Sequence, residues 1–260
     1  MESSDTENKD RLFVTALARG LAVLAAFRSG EPQLSNQDLA SRTSLPKSTV
    51  SRLTYTLTQL GYLDQDASTG RYQLGLAVLE LSAATLASFD ARRLIAPRMQ
   101  QFAETHGVSV SLAIREGLDM MYLETVRSRA RVTVQLSVGS RVPLATTAIG
   151  RAYLAAMPVA ERNTLMPALA VQYGDHWPAI AASVEQALGD YARQQFCCSF
   201  GEFQPEVFAV AVPVPPLAPG QPWMSLNASG PAFLFTEQAM REQIAPPLLA
   251  LVNSLSTRAG

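Results

Sequence analysis

Residues 45–60 have the sequence Leu-Pro-Lys-Ser-Thr-Val-Ser-Arg-Leu-Thr-Tyr-Thr-Leu-Thr-Gln-Leu, and this stretch decides the fold of the N-terminal region. The spacing of its apolar residues predicts an amphipathic helix with a buried stripe of Val50, Leu53, Leu57 and Leu60. The opposite face carries hydroxyl, guanidinium, phenol and amide groups, from Ser48, Ser51, Arg52, Tyr55 and Gln59. Because these groups hydrogen-bond to base edges and phosphates, and no acid is present to repel DNA, the stretch predicts a recognition helix.

The residues before this helix predict a helix-turn-helix. Ser35 suits the N-cap of a short helix over residues 36–43, and Asp38 in its first turn favours the helix dipole. Ser44, Leu45 and Pro46 then break this helix, and Pro46 suits the opening turn of the next one. Two short helices on a tight connection, the second with a polar outer face, are typical of this DNA-binding motif.

The residues after the recognition helix predict a wing. Residues 62–64 and 71–74 alternate like strands around the turn sequence 66–70, so a hairpin follows the helix. Arg71 lies near the hairpin tip, where we expect it to reach a phosphate. The predicted DNA-contacting residues are Lys47, Ser48, Thr49, Ser51, Arg52, Tyr55 and Arg71.

Composition excludes several classes of protein. The chain has 260 residues, 48% of them hydrophobic and 17% charged, and no apolar run is long enough to span a membrane. The polar segment 1–10 does not resemble a signal peptide, so we expect a disordered tail and a cytoplasmic protein. The net charge of −1 argues against a protein that coats DNA nonspecifically. Between Leu39 and Leu63, however, the chain has basic residues and no acid.

The chain divides into a winged helix-turn-helix domain (11–74), a linker helix (75–89) and a second domain (90–260). A first helix over residues 12–28 is expected to pack on the recognition helix through Val14, Leu17, Leu21, Leu24 and Ala25. The linker helix has an apolar stripe of Leu76, Leu79, Ala83 and Leu86, which predicts contact with a second subunit.

The second domain combines strands and helices that predict an α+β fold with a central antiparallel sheet. Strands are expected at 108–114, 119–126, 131–136, 196–203, 207–214 and 223–229. Helices are expected at 92–106, 148–157, 159–170, 180–195 and 236–257, and the Pro-rich segment 214–222 predicts a long hairpin loop.

Several motifs together resemble the IclR (isocitrate lyase regulator) family of bacterial transcription regulators, over essentially the whole chain. They are Leu45 to Leu53, the wing ending Tyr72-Gln73-Leu74-Gly75, the stretch 138–152 and the strand 225–231. The resemblance implies a GAF/profilin-like effector domain that binds a small molecule and alters binding to double-stranded operator DNA. It also implies a homodimer or tetramer, control of a catabolic operon as repressor or activator, and contact with RNA polymerase if the protein activates.

The family pattern places an effector pocket near Val134, Ala148 and Ile149, facing Ser199, Ala209, Asn227 and Ser229. Many members have an acidic cluster at the position of residues 198–203 and a cysteine near Ala209. Here Phe200, Phe203 and Tyr122 are candidate walls instead, which favours an aromatic acid as effector. The amides at the helix start within 145–150 suit a carboxylate, and Arg129, Arg131 and Arg141 are possible ion-pair partners.

Two alternatives remain open at this stage. The second domain of a winged-helix regulator could serve oligomerisation alone, or Cys198, His106 and Glu202 could form a cysteine-dependent catalytic set. No GxSxG, P-loop or metal-spaced cluster supports an enzyme, and we expect neither metal nor cofactor. The adjacent Cys197 and Cys198 are more typical of small, buried, reduced residues.

Overall fold

The computed structural model describes residues 12–28, 30–87, 89–127, 136–218 and 220–256, and its chain separates into two compact units, Met1–Ser88 and Phe89–Gly260. The described part of the first unit contains helices α1 (Thr15–Ala25), α2 (Asn36–Thr43) and α3 (Lys47–Gln59), strands β1 (Leu63–Gln65) and β2 (Tyr72–Leu74), and helix α4 (Leu76–Ala87). The two strands pair antiparallel, with Leu63 opposite Leu74, so the predicted winged helix-turn-helix forms. The predicted disordered tail, 1–10, lies outside the described residues.

Helix α2 begins with a capping box, as Ser35 indicated. The Ser35 hydroxyl accepts a hydrogen bond from the Asp38 amide at 3.1 Å, and the Asp38 carboxylate accepts one from the Ser35 amide at 2.9 Å. The Ser35 hydroxyl also donates to this carboxylate at 2.8 Å, and the two bonds from the Ser35 amide and hydroxyl lower the pKa of Asp38. The helix ends where Ser44 adopts a left-handed conformation, with φ of 56°. Local hydrogen bonds therefore fix the start of α2, and one strained residue begins the turn that leads to α3.

The buried stripe of α3 differs from the predicted one at its end. Val50 is fully buried, and Leu53 and Leu57 pack against the same core, but Leu60 is 60% exposed. Thr54 is buried in its place, with its hydroxyl donating to the Ser51 carbonyl oxygen at 3.1 Å. Leu60 is the C-cap residue, one position beyond the end of the helix at Gln59.

Of the five residues predicted to form the buried face of α1, only Leu24 packs against the core, and Ala25 is exposed. Val14, Leu17 and Leu21 are more than half exposed, whereas Val23 is fully buried and Leu24 packs beside it. A Cβ on Gly20 would lie 4.0 Å from a Leu53 methyl carbon, so the core-facing set is Gly20, Val23, Leu24 and Phe27. The leucines on the other side of α1, Leu17 and Leu21, face outward.

The second unit is built on a six-stranded antiparallel sheet. Its elements are α5 (Asp90–His106), β3 (Ser109–Glu116), β4 (Asp119–Val126), β5 (Arg141–Pro143), α6 (Ala148–Ala156), α7 (Val159–Tyr173), α8 (Trp177–Gln194), β6 (Cys197–Phe200), β7 (Val207–Val214), β8 (Met224–Pro231) and α9 (Ala245–Ser256). The strand order is β5-β4-β3-β8-β7-β6, with antiparallel pairing throughout. Two units of this kind, a helix-turn-helix and a sheet with helices, confirm the α+β class.

Helices cover the sheet. Helix α6 packs on β6, β7 and β8, α5 packs on β3 and β4, and α9 packs on β7 and β8. Consecutive residues of the central strand β7, such as Ala211 and Val212, are fully buried, so both faces of the sheet are covered there. The alternating pattern of β3 predicted only one buried face, whereas Ser111 and Ala113 on the other face are also covered.

Several element boundaries differ from the sequence prediction. The strand expected at 196–203 stops at Phe200, because Gly201 turns the chain with a φ of +78°. The last helix is preceded by the turn Glu237–Ala239 and a π-helical turn, Met240–Ile244, which Pro246 and Pro247 explain because neither offers an amide N–H. Strand β5 was not predicted, and most of the strand expected at 131–136 lies outside the described residues. Within those residues, no helix has the length and apolar character required to cross a bilayer.

Candidate functional site

The outer side of α3 is a polar, solvent-exposed surface, called here the polar face. Lys47, Ser48, Ser51, Arg52, Tyr55 and Gln59 are all exposed, whereas Thr49 is half-buried. Tyr55 is 68% exposed although the neighbouring Thr54 is fully buried. In the described part of the chain, no side-chain hydrogen bond or ion pair holds Lys47 or Arg52. Their cationic groups are therefore free to meet phosphates or base edges.

Two further contacts shape this surface. The Ser51 hydroxyl donates to the Lys47 carbonyl oxygen at 3.0 Å and accepts a hydrogen bond from the Asn36 amide group at 3.0 Å, which ties α2 to α3. Arg19 of α1, which the sequence reasoning did not select, lines a shallow groove together with Arg52 and Tyr55. Arg19 adds a positive charge to the same side of the unit.

Arg71 has a structural partner. Its guanidinium lies 3.1 Å from the Asp38 carboxylate, with both side chains about half exposed. Backbone hydrogen bonds of 2.9 and 2.8 Å between Leu34 and Tyr72 also attach the hairpin to the segment before α2. At the hairpin tip, hydrogen bonds from Ser68 and Thr69 lower the pKa of Asp66 to about 2. The guanidinium of Arg71 is thus directed toward α2, and its contact with phosphate stays a prediction.

The second unit contains a cleft between the sheet and the start of α6. The cleft has a smaller lobe of about 40 Å³ and a larger lobe of about 270 Å³. The two lobes are adjacent because they share five lining residues, namely Tyr122, Leu136, Gln204, Val207 and Ser229. The larger lobe is close to the lower end of the range of about 300–1,000 Å³ typical of ligand pockets, which indicates a small ligand.

Short side chains on one row of the sheet leave this space open. Ser109 pairs with Ser229, Ser229 with Ala209, and Ala209 with Ser199, so four neighbouring strands place small residues side by side. Paired residues of an antiparallel sheet point to the same face, and here that face is turned toward α6. Because these short side chains do not fill the space between the sheet and α6, a cleft remains there.

The structure brings together eight of the nine predicted effector residues. The smaller lobe is lined by Tyr122, Ala148, Ile149, Ser199, Phe203, Ala209, Asn227 and Ser229. The ninth, Val134, lies outside the described residues. The prediction that Phe200 forms a further wall is wrong. Phe200 follows Ser199 on β6 and so points to the opposite face of the sheet. Its ring centroid lies 5.2 Å from that of Phe208 and 5.0 Å from the Arg241 guanidinium.

The polar groups inside the cleft are largely buried. Burial raises the pKa of Tyr122 to about 12, against smaller lowering effects of hydrogen bonds with Asn227 and Ser111, so the phenol is protonated at neutral pH. Asn227 is only 5% exposed, and its Oδ1 atom has no hydrogen-bond partner among the described residues. A buried acceptor without a partner is costly, so a ligand or water that donates to it is favoured.

The start of α6 forms one wall of the smaller lobe. The Thr147 hydroxyl caps the helix by accepting from the Gly150 amide at 3.2 Å, and it donates to the Pro143 carbonyl oxygen at 2.6 Å. Ser199 donates to the Thr146 carbonyl oxygen at 2.9 Å, which joins the turn to the sheet. The amides of Ala148 and Ile149 have no partner within the helix and line the lobe, so the wall offers donors for an anionic or carbonyl oxygen.

Of the three arginines proposed for a carboxylate, Arg141 alone is described, and it does not line the cleft. Arg141 lies on the edge strand β5 and pairs with Glu116 at 2.7 Å, while Arg129 and Arg131 lie outside the described residues. Arg127, which the sequence reasoning passed over, lines the larger lobe and donates a weak hydrogen bond of 3.4 Å to the Leu136 carbonyl oxygen. It is the cation placed to meet a carboxylate among the described lining residues.

Two family models account for most of the chain. The IclR helix-turn-helix domain matches residues 16–67, and the C-terminal domain of the bacterial transcriptional regulator IclR matches residues 83–257. The chain belongs to the IclR family. It is thus a DNA-binding transcription regulator of the helix-turn-helix class.

Relatives of this IclR-family regulator cover nearly all of it. The HTH-type transcriptional regulator TsaQ1/TsaQ2 of Comamonas testosteroni is 33% identical over 244 residues, 93% of this chain and 87% of the relative. The Pca regulon regulatory protein of Pseudomonas putida is 30% identical over 249 residues, 94% and 83% of the two chains. An IclR-family regulator from Brucella abortus has a crystal structure with a TM-score of 0.79 and 40% identity over 95% of this chain and 93% of its own. A homologue from Microbacterium hydrocarbonoxydans, complexed with 4-hydroxybenzoate, shares the fold with a TM-score of 0.74 and 20% identity over 94% and 97%.

The structure of this IclR protein does not assemble the cysteine-dependent catalytic set. Cys198 lies on edge strand β6, whereas His106 ends α5, which packs on β3 and β4. Strands β8 and β7 separate β3 from β6, so three strand spacings, about 14 Å, intervene. Burial raises the pKa of Cys198 to about 11 and that of Cys197 to about 12, so neither is a thiolate at neutral pH. Both cysteines are free, and Cys197 is fully buried.

Proposed function

We propose that this IclR-family protein recognises an operator through the polar face of α3 and that an aromatic carboxylic acid in the cleft alters this binding. Support for the DNA part comes from the exposed Arg52, Tyr55 and Ser48, which stand opposite a buried stripe and near no acid on the helix. The short hydroxyls and the guanidinium match the hydrogen-bonding edges of the major groove.

The aromatic acid is favoured by the lining of the cleft. Phe203 and Tyr122 offer ring faces, Leu136 and Val207 add apolar contact, and Asn227 offers a buried acceptor. Arg127 at the larger lobe and the amides at the start of α6 offer two places for a carboxylate. The names of relatives point the same way, since one regulates the Pca regulon and a structural neighbour holds 4-hydroxybenzoate.

We further propose that a second copy of the chain covers the outward leucines of the first unit. Leu17 and Leu21 on α1, and Leu76 and Leu79 on α4, are all more than half exposed. Light scattering on the wild type and on Leu79→Glu tests this proposal. We expect a dimer or larger assembly that the charged variant weakens, and a monomeric wild type contradicts the proposal.

The DNA part is tested with a duplex that the protein selects from a random library. Arg52→Ala is expected to weaken binding by about 1–3 kcal/mol and to relax base preference at one position. Arg193→Ala, on an exposed surface of the second unit, is the matched control and is expected to have little effect. Unchanged affinity and footprint in Arg52→Ala refute the assignment of the polar face.

The ligand part is tested by thermal unfolding with benzoate, 4-hydroxybenzoate and aliphatic acids. A ligand present at about 100 times its Kd stabilises the protein by about 2.7 kcal/mol. We expect an aromatic acid to raise the Tm and to change affinity for the selected duplex. Asn227→Leu is expected to keep DNA binding and to lose the response. If no acid raises the Tm, a second domain that serves oligomerisation alone is the better explanation.

A further inference from the structure

A short loop between β6 and β7 carries one wall of the cleft. This loop, residues 201–206, is called the connector, and its Phe203 and Gln204 line the smaller lobe. The Gly201 amide donates to the Val207 carbonyl oxygen at 3.0 Å, and the Val207 amide donates to the Gln204 carbonyl oxygen at 2.9 Å. The connector is therefore folded on itself, so a shift of one residue moves its neighbours.

Arg151 holds the connector from the side of α6. The residue is only 3% exposed, and its Nη1 donates to Glu202 Oε1 of the connector at 2.6 Å, with Nη2 bound to Oε2 of the same carboxylate. The Nε atom donates to the Ala145 carbonyl oxygen at 2.9 Å, and Nη1 also donates to the Cys198 carbonyl oxygen at 3.1 Å. Ser183 of α8 completes the network, since it accepts from Nη2 at 2.9 Å and donates to Glu202 at 2.8 Å.

The network joins the two walls of the smaller lobe. Arg151 lies in the first turn of α6, two positions after Ile149 of one wall, and Glu202 directly precedes Phe203 of the other wall. Only a planar guanidinium can donate to one carboxylate through two nitrogens and still reach two carbonyl oxygens. Burial works to raise the pKa of Glu202, but the hydrogen bonds and charge of Arg151 outweigh it and lower the pKa. The pair is thus charged at neutral pH.

We propose that Arg151 and Glu202 are positioning residues that fix the connector against α6 and so set the shape of the ligand cleft. The pair is only partly buried, since the Arg151 side chain is 3% exposed and the Glu202 side chain 37%, and an ion pair of this kind is weak evidence for added stability. Its rigid bidentate geometry instead specifies where Phe203 and Gln204 stand. The part of this inference that concerns ligand affinity rests on the proposed function, whereas the part that concerns the connector does not.

Hydrogen exchange of the full-length protein without ligand tests the connector directly. Glu202→Gln keeps the side-chain shape and removes the charge, and Glu185→Gln on the exposed side of α8 is the matched control. We expect the Gly201 and Val207 amides to exchange about tenfold faster in Glu202→Gln. In Glu202→Gln, the amides of β3 and β8 are expected to exchange at their wild-type rates. In Glu185→Gln, all amides are expected to do so. Equal exchange of the connector in wild type and Glu202→Gln overturns the proposal.

Titration calorimetry with 4-hydroxybenzoate tests the consequence for binding. We expect Glu202→Gln to weaken binding about tenfold while the affinity for the selected duplex is unchanged. In a Phe203→Ala background the same substitution is expected to have a much smaller effect, because the wall that it positions is gone. An undiminished effect in that background contradicts positioning through Phe203. If the wild type binds no acid at all, the proposed function fails. Hydrogen exchange alone then tests whether Arg151 and Glu202 fix the connector.

Discussion

Gly150→Ala is predicted to be the most damaging single-methyl substitution in the second unit. A Cβ on Gly150 would lie 2.1 Å from the Leu144 carbonyl oxygen and 2.6 Å from both its carbonyl carbon and its Cα. All three atoms belong to the backbone, so no side-chain rotation relieves the overlap. Ordinary contact requires the first turn of α6 to move by about 1 Å.

Such a movement disturbs more than one contact. Gly150 donates its amide to the Thr147 cap, and the next residue, Arg151, is bound to four different segments. Overpacking alone costs about 1–3 kcal/mol, and the loss of a cap adds about 1 kcal/mol. We therefore expect about 3 kcal/mol of destabilisation, equivalent to a fall in Tm of about 6–12 °C for a unit of this size.

Calorimetry of the full chain with a matched control measures this effect. Gly189 lies within α8, where a Cβ would meet only the flexible end of Arg193 at 3.8 Å. Gly189→Ala is expected to stabilise the unit by about 0.5–1 kcal/mol, because alanine favours a helix over glycine. The two substitutions add the same methyl group and are expected to have opposite signs. A Gly150→Ala protein as stable as the wild type refutes the close approach of α6 to Leu144.

Three further predictions concern titration and capping. The pKa of Tyr122 is raised to about 12 in the folded protein, whereas a tyrosine in the unfolded chain loses its proton near pH 10. The free energy of unfolding therefore falls above pH 10, by up to about 1.4 kcal/mol per pH unit. In urea titrations at alkaline pH, Tyr122→Phe is expected to show a smaller decrease in stability than the wild type. The pKa of Glu202 is lowered, so its contribution to stability is present above pH 4.5 and is lost as the pH falls below this value. The difference in Tm between wild type and Glu202→Gln is therefore expected to become smaller in acid. A difference that stays constant with pH contradicts this expectation. Ser35→Ala removes the cap of α2 and should cost about 1 kcal/mol, whereas Ser41→Ala on the exposed side of that helix should be nearly neutral in the same urea assay.

Local chemistry explains which parts of the fold could be predicted. The capping box at Ser35 and the apolar spacing around Val50 act over a few residues, and α2 has the predicted bounds. Strands β4 and β7 likewise have the predicted bounds, since turn residues flank each of them. Prediction failed where packing decides between two apolar faces, as in α1, where Val23 is buried while Leu17 and Leu21 face outward.

The cleft shows a second kind of limit. Resemblance placed Ser199, Ala209 and Asn227 in one pocket, but the reason that a pocket exists depends on strand register, which pairs residues 120 positions apart, such as Ser109 and Ser229. Register also turns Phe200 away from the cleft, because one step along a strand reverses the side-chain direction. Its aromatic ring fits a pocket wall, but the sequence alone does not show which face of the sheet the ring occupies.

Arg151 illustrates why charged residues in a core are difficult to assign from sequence. An arginine in the first turn of a helix, within a stretch of small residues, is most simply expected at the surface. The sequence instead indicated Arg129, Arg131 and Arg141 as possible ion-pair partners of a ligand. The partner that holds it, Glu202, lies 51 positions away and is fixed only when β6 pairs with β7. A buried guanidinium must satisfy its donors, and here it does so by joining a helix start, a strand, a second helix and the connector. Arg151 is not among the lining residues of the cleft, yet it connects the elements that form both walls of the smaller lobe.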